Sequence, residues 1–246
     1  MKLSIVMPAY NEATTLREIV SRVLAVDLPG MEKELLIVDD GSQDGTRELM
    51  RELDGKDGVR ALFHPRNIGK GAAVWTGMRA STGEIVLIQD ADLEYDPREY
   101  PVLLRPILEA EADVVFGSRF LGTSAGHRML YYWHSVGNWM LTMMSNVFTN
   151  INLTDMETCY KAMTREVVDL LDLRSERFGI EPEITCKVAR MKARIFEVPI
   201  SYHGRTYEEG KKIGLKDAFQ AAWTILRFSR WKSARGNLGA TAPRRT

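Results

Sequence analysis

Within its first hundred or so residues the chain passes four times through one succession: a short apolar run, then a polar loop, mostly followed by apolar residues at helical spacing. Lys2 to Met7 is β-rich and is expected to stop at Pro8. Tyr10, Asn11 and Glu12 follow at its carboxyl end, and Leu16, Ile19, Val20, Val23 and Leu24 recur with the period of a helix. Thr15 and Glu18 have the spacing of a capping box, which predicts a helix start just after the loop. ELLIVDDGSQDGT repeats the pattern, with a strand ending at Asp39 and Asp40, turn residues from Gly41 to Gly45, and a helix carrying Leu49, Met50 and Leu53. Val59 to Phe63, the loop HPRNIGKG and a helix from Ala72 to Ala80 form the third unit, and Glu84 to Gln89 is the fourth strand. Such a succession predicts an α/β fold with a doubly wound parallel sheet. All four strands then end at one rim, where loops converge and following helices present their amino termini to ligands.

The fourth strand delivers Asp90 and Asp92 to that rim, one residue apart, before Leu93, Glu94, Tyr95, Asp96 and Pro97 break it. Two hard oxygen donors this close suit Mg²⁺ or Mn²⁺, which needs only one or two protein carboxylates when phosphate oxygens and water complete the shell. Taken alone, the pair also reads as an acidic turn. No GxGxxG follows the first strand and no P-loop is present, which excludes dinucleotide dehydrogenases and P-loop NTPases. A haloacid-dehalogenase phosphatase would carry its acid pair on the first strand, with Thr or Val two residues later.

Of the 246 residues, 45% are hydrophobic, enough for the core of one large α/β domain. The 33 basic and 33 acidic residues cancel, so no nucleic-acid partner is expected. Cys159 and Cys186 are too few for a disulfide framework and suit a reducing compartment. No apolar run approaches the ~20 residues of a membrane span, and the first residues lack a secretory-signal pattern. The expected location is cytoplasmic.

SIVMPAYNE, IVDDGSQDGT, NIGKGAAVWTGM and QDADLEYDP, in this order and spacing, resemble the family-2 glycosyltransferases with the GT-A fold. The resemblance implies a Rossmann-like, mostly parallel doubly wound sheet. It implies that Pro8, Ala9, Tyr10, Glu12, Asp39 and Asp40 line the nucleotide-base and ribose pocket of a nucleotide-sugar site that also includes Asp90 and Ala91. Asp90 and Asp92 would bind the divalent metal on the diphosphate. The same residues have local readings: strand termination for Pro8 and Ala9, and an Asx-type turn for Asp39 and Asp40. Lys70, between Gly69 and Gly71, reads either as a group reaching a phosphate or the sugar or as a solvated lysine.

Ala112 to Phe116 is the fifth expected strand, after a core helix from Pro97 to Glu109 carrying Val102, Leu103, Ile107 and Leu108. Arg119 then lies at the same rim, able to bind a phosphate bidentately or to pair with a nearby acid. The stretch HRMLYYWHSVGNWMLTMMSNVFTNINLTD is apolar on almost every helical face, so something must cover it. A buried helix pair, a homodimer or membrane-protein partner, and an interfacial helix at the lipid headgroups are the alternatives. His127 and His134 lack motif partners and read as packing or surface residues. The helix after Gly214 carries Leu215, Phe219, Ala222, Trp223, Leu226 and Trp231 with Arg227, Arg230 and Lys232 interleaved, and reads either as packed on the domain or as resting on an anionic membrane.

DMETCYKAMTREVV and EPEITCKVARMKARIFEVPISYHGRTYEEGKKIGLKDAF extend the resemblance to the polyprenyl-phosphate, or dolichyl-phosphate, hexosyltransferase branch. That implies Asp155 near the transferred sugar, Arg119 and Arg205 on donor or acceptor phosphate, and Lys211 and Lys212 nearby. The order Cys159, Tyr160, Lys161 tilts the donor toward UDP-glucose or another UDP-hexose over GDP-mannose. The expected organisation is a single domain over 1–232, with a nucleotide-sugar half (1–120), an acceptor half with amphipathic helices (121–232) and a flexible basic tail (233–246). The expected reaction moves a hexose with inversion to a polyprenyl phosphate at the cytoplasmic face of a membrane. Asp92, Asp155, Arg119 and Arg205 would carry catalysis. Transfer to a soluble or polysaccharide acceptor is the alternative within the family, and a non-catalytic nucleotide-sugar-binding scaffold the alternative outside it.

Overall fold

The computed structural model describes residues 1–122, 132–204, 215–232 and 238. In chain order the elements are β1 (Lys2–Ala9), α1 (Leu16–Ala25), β2 (Glu32–Asp39), α2 (Thr46–Leu53), β3 (Val59–Phe63), α3 (Lys70–Ala80), β4 (Ile85–Ile88), α4 (Tyr100–Leu108) and β5 (Val114–Ser118). The second half adds α5 (Tyr132–Thr149), β6 (Lys161–Thr164), α6 (Arg165–Leu170), α7 (Ile180–Arg190), β7 (Ile195–Pro199) and α8 (Leu215–Phe228). The strands form one seven-stranded sheet of order β3-β2-β1-β4-β6-β5-β7. All neighbours are parallel except β6, which runs antiparallel to both β4 and β5. The mostly parallel α/β sheet expected from the sequence is therefore present.

The continuous apolar runs have a simple cause: Leu35 to Val38 and Ile85 to Ile88 are buried along their whole length, as strands covered on both faces must be. The chain lays β2 and β3 on one side of β1 and then returns to place β4 on the other. That reversal opens a crevice between the β1 and β4 loops, the switch point where open sheets bind ligands.

Four expectations shift. Pro8 does not end β1, which continues to Ala9; Pro8 lies beyond Val6, the last residue of β1 paired with β4, where a missing N–H costs no ladder bond to that strand. The capping box does not form, because the Thr15 hydroxyl turns back to the Glu12 carboxylate at 2.9 Å, although α1 starts at Leu16 as its spacing predicts. The fifth strand lies two residues later than expected, at Val114–Ser118. The expected Pro97–Glu109 helix divides into a 3₁₀ turn, Pro97–Glu99, capped by Asp96 accepting the Arg98 N–H at 2.9 Å, and α4. Tyr100, Leu103, Leu104 and Pro106 are its buried residues, while Val102 and Leu108 are exposed rather than core.

α5 and α8 pack with α7 around a small second core of Met156, Cys186, Ile225 and Phe228. Both helices nevertheless leave large apolar side chains outside. α5 turns Thr142, Ser145 and Thr149 inward and exposes Tyr132, Trp133, Trp139, Met140, Met143, Val147 and Phe148. α8 buries Ala221, Ile225 and Phe228, while Phe219 and Trp223 are 77% and 65% exposed. The stripe containing Phe219, Trp223 and Leu226 thus faces outward, not onto the domain, because Ala221, Ile225 and Phe228 already fill the groove against α7 and α5. Among the described residues, no helix is long and apolar enough to cross a membrane.

Candidate active site

At the end of β2, Asp39 is fully buried and closes an Asx-type turn, accepting the Gly41 and Ser42 N–H groups at 3.3 and 3.0 Å while Arg47 Nε donates to it at 2.8 Å. Asp40 faces the next loop. Its carboxylate takes the Ile68 and Gly69 N–H groups at 3.0 and 2.8 Å and is 2.9 Å from His64 Nδ1. The two aspartates therefore bind the loops of the rim together. Beside them, Glu12 is nearly buried, its backbone N–H donating to Thr46 Oγ1 at 2.8 Å, and Tyr10 is 36% exposed.

The Asp90–Asp92 turn at the end of β4 is held from below by Gln89, a residue that sequence reasoning passed over. Gln89 is fully buried; its carbonyl accepts the Tyr100 and Tyr160 hydroxyls at 2.8 and 2.7 Å, and its amide donates to the Asp90 carbonyl at 3.0 Å. Asp92 Oδ1 accepts the Glu94 N–H at 3.2 Å. Glu94 in turn receives the Tyr202 hydroxyl at 2.7 Å and the His203 N–H at 2.9 Å, which docks the chain leaving β7 onto this turn. Lys70 starts α3, two residues earlier than expected, and its ammonium lies 3.1 Å from Asp90 Oδ2 and 3.0 Å from Glu181 Oε1. Burial alone would lower its pKa, but these carboxylates raise it well above the ordinary lysine value.

Arg119 and Asp155, 36 residues apart in sequence, meet as a bidentate pair: Nε to Oδ2 at 2.7 Å and Nη2 to Oδ1 at 2.8 Å. Asp155 also accepts the Arg119 backbone N–H at 3.1 Å and the Asn138 amide at 3.3 Å, and is fully buried. The guanidinium lies 5.0 Å from the centre of the Tyr202 ring. A continuous set of contacts thus runs from Asp92 through Glu94, Tyr202 and Arg119 to Asp155. Below it, buried Lys161 donates to the Met156 carbonyl at 3.3 Å and to that of Thr158, fixing the loop that follows Asp155. Glu197 accepts the Thr154 and Asp155 N–H groups, at 2.9 and 3.0 Å.

Glu157 has a buried Oε1 with no hydrogen-bond partner, and burial, reinforced by the Glu181 carboxylate, pushes its pKa up to about 8 from an ordinary value of 4.5. The folded protein therefore keeps this proton while the unfolded chain loses it, and stability falls as pH rises between those two values. In Glu157→Gln that fall is expected to shrink, so the variant gains stability relative to wild type as pH rises from 5 to 8. Urea midpoints at pH 5 and pH 8 measure it; equal pH dependence in both proteins would refute the assignment.

The donor chemistry at Asp90 and Asp92 fits a divalent cation. Both carboxylates are partly exposed at the switch-point rim, and the Lys70 ammonium already supplies Asp90 with a positive neighbour. Among the described residues no group of three or more His, Cys, Asp or Glu is arranged to hold a metal ion, so ligand oxygens and water would complete the shell. Pro8, Ala9 and Asp39 end β1 and β2, Tyr10, Glu12, Asp40, Asp90, Ala91, Asp92 and Arg119 lie in the loops after β1, β2, β4 and β5, Lys70 starts α3, and Asp155 lies in the loop between α5 and β6. Arg205, Lys211, Lys212, His127 and the tail apart from Leu238 lie outside the described residues, as does the side chain of His134. Sequence reasoning missed Gln89, Asn138, Glu157, Glu181 and Tyr202. Of these, only the charge of Glu157 and Glu181 beside apolar neighbours gave any signal in one dimension.

The profile of the family described as Glycosyl transferase family 2 matches residues 4–171. The chain is 31% identical over 251 residues to an undecaprenyl-phosphate mannosyltransferase of Micrococcus luteus, a match covering 97% of this chain and 100% of the relative. It is 29% identical over 233 residues to a dolichol-phosphate mannosyltransferase of Pyrococcus furiosus, covering 94% of this chain and 65% of that protein. An undecaprenyl-phosphate 4-deoxy-4-formamido-L-arabinose transferase of Aeromonas hydrophila is 27% identical over 212 residues, with 85% and 62% covered. The chain therefore spans slightly less than two thirds of the length of the latter two. Among solved structures, glucosyl-3-phosphoglycerate synthase from Mycobacterium tuberculosis, in complex with Mn²⁺, uridine diphosphate and glucosyl-3-phosphoglycerate, aligns with a TM-score of 0.72 at 20% identity, covering 95% of this chain and 81% of that one. That likeness is one of fold.

Proposed function

Because the chain belongs to glycosyl transferase family 2, we propose that it transfers a hexose from a nucleotide-diphosphate sugar to a polyprenyl phosphate at a membrane surface, with inversion. The observation that carries the lipid acceptor is the double role of α5. One side of this helix exposes Trp133, Trp139 and Met140, and another contributes Asn138, whose side chain contacts both Arg119 and Asp155. A helix whose outward apolar face suits the headgroup boundary would bring a lipid phosphate directly over the ion pair. Exposed Arg227, Arg230 and Lys232, on and just after α8, add attraction to an anionic surface. The names of the three relatives, each a transferase with a polyprenyl or dolichol phosphate in its name, point the same way.

In this reading Tyr10, Glu12 and the rim loops tied by Asp39 and Asp40 receive the nucleotide, and Asp90 and Asp92 are the residues that would hold Mg²⁺ or Mn²⁺. When bound there, a divalent cation would supply Lewis acidity for the departing nucleoside diphosphate. The attacking group is a phosphate with a second pKa near 6, already largely dianionic at neutral pH, so no side chain has to remove a proton from it. Asp155, engaged on both oxygens by Arg119, is suited to orienting groups rather than to acting as a base. Arg119, together with Arg205, Lys211 and Lys212, would hold the acceptor phosphate in line with the anomeric carbon. Residues 1–120 form the donor half and 121–232 the acceptor half of one domain, acting at the cytoplasmic face of the membrane. The order Cys159, Tyr160, Lys161 favours a UDP-hexose donor; the two mannosyltransferase relatives favour a mannosyl donor.

The test supplies radiolabelled UDP-glucose or GDP-mannose, Mn²⁺, and polyprenyl phosphate in anionic vesicles, followed by extraction into organic solvent. Label is expected in the lipid phase with one donor. Its absence with both donors would sink the lipid-acceptor reading, and label in a water-soluble product would favour the soluble acceptor.

A further inference from the structure

Glu181 has no part in the chemistry above, yet it is the second carboxylate on the Lys70 ammonium. The ammonium lies between Asp90 Oδ2 at 3.1 Å and Glu181 Oε1 at 3.0 Å. Lys70 is held from behind. Gly69 and Gly71 press against the backbone of Glu176 and Ser175, where any Cβ would collide, and the Ala72 N–H donates to the Glu176 carbonyl at 3.0 Å. The side chain can therefore swing while its backbone stays in place. Glu181 is 6% exposed, and its Oε2 is buried with no hydrogen-bond partner. A cavity of ≈ 10 Å³, about the room one water occupies, borders Glu181 together with Lys161 and Cys159. Glu181 thus has an unsatisfied acceptor and space beside it.

Asp90 cannot serve the ammonium and a divalent cation equally, since the two positive charges repel at this distance. We infer that Glu181 is a positioning residue that draws the Lys70 ammonium off Asp90 when a divalent cation binds there. In the cation-free protein Lys70 neutralises Asp90; in the loaded protein it rests on Glu181 and satisfies Oε2. The inference rests on the proposed role of Asp90 as a cation ligand. It makes Lys70 a competitor for the metal position and Glu181 the group that relieves the competition, so removing the two has opposite consequences.

The experiment measures Mn²⁺ affinity of the intact protein by electron paramagnetic resonance of free Mn²⁺, in separate runs with saturating UDP and GDP. Lys70→Gln is expected to bind Mn²⁺ about tenfold more tightly than wild type and Glu181→Gln about tenfold more weakly. The double variant should match Lys70→Gln within a factor of about two, because Glu181 acts only through Lys70. Should either variant unfold, wild type still answers: in ¹³Cε-lysine spectra, one lysine resonance should move with Mg²⁺ at the dissociation constant of cation binding. A lysine spectrum indifferent to Mg²⁺, or Mn²⁺ affinity that is unchanged or weakened in both variants, overturns the inference alone. Wild-type protein that binds no Mn²⁺ with either nucleotide overturns the assignment of Asp90 and the inference with it.

Discussion

Asp92→Asn is expected to lower kcat/KM for hexose transfer by about a thousandfold, roughly 4 kcal/mol of transition-state stabilisation, without unfolding the protein. Asparagine is isosteric and keeps the acceptor that Asp92 Oδ1 presents to the Glu94 N–H at 3.2 Å, so the turn on which Tyr202 docks has its local bond intact. What it loses is charge, and a neutral amide is a poor ligand for a hard cation. The transfer assay, Mn²⁺ affinity and thermal unfolding would be measured together. A variant retaining a tenth or more of wild-type turnover would show that Asp92 is not a metal ligand. A fall in melting temperature parallel to the lost activity would make it a structural residue instead.

Asp155→Asn is expected to cost stability as well as activity. Asp155 is fully buried, and the Arg119 guanidinium that it holds through both oxygens remains charged: burial lowers its pKa, but Asp155 holds it well above the ordinary arginine value. The substitution leaves that guanidinium facing an amide that matches only one of its two bonds. Breaking a buried ion pair from one side costs about 3–5 kcal/mol, because the surviving charge is left uncompensated. The urea midpoint should fall accordingly, and turnover with it, since Arg119 would no longer be fixed over Tyr202. Arg119→Gln combined with Asp155→Asn should be less destabilised than the sum of the single variants, as expected for groups in direct contact. Additive effects would mean that the pair contributes nothing beyond its separate residues.

The rim was legible in one dimension because strands impose a simple code. An apolar run ending in acids places Asp39, Asp40, Asp90 and Asp92 at the carboxyl ends of β2 and β4 before any coordinates are known, and the repeat of strand, loop and helix puts those ends on one edge. Pairings between distant segments carried no such code. Arg119 and Asp155 meet only because β6 inserts antiparallel between β4 and β5, and Lys70 meets Glu181 because α7 packs back onto the rim. The direction of a helical stripe was equally hidden. Periodicity marks Phe219, Trp223 and Leu226 as sharing a face of α8, but which face the protein covers depends on the groove that α5 and α7 leave for it.

What the sequence by itself determined is the order of units, the parallel sheet of the first half and the acids at its edge, because these follow from local periodicity and from strand ends. The partner of each charge was decided by the tertiary structure alone. Asp40 went to the loop of His64 and Gly69, Asp155 to Arg119, and Asp90 to an ammonium shared with Glu181. A buried charge must find its counter-charge in space, wherever in the chain that counter-charge lies.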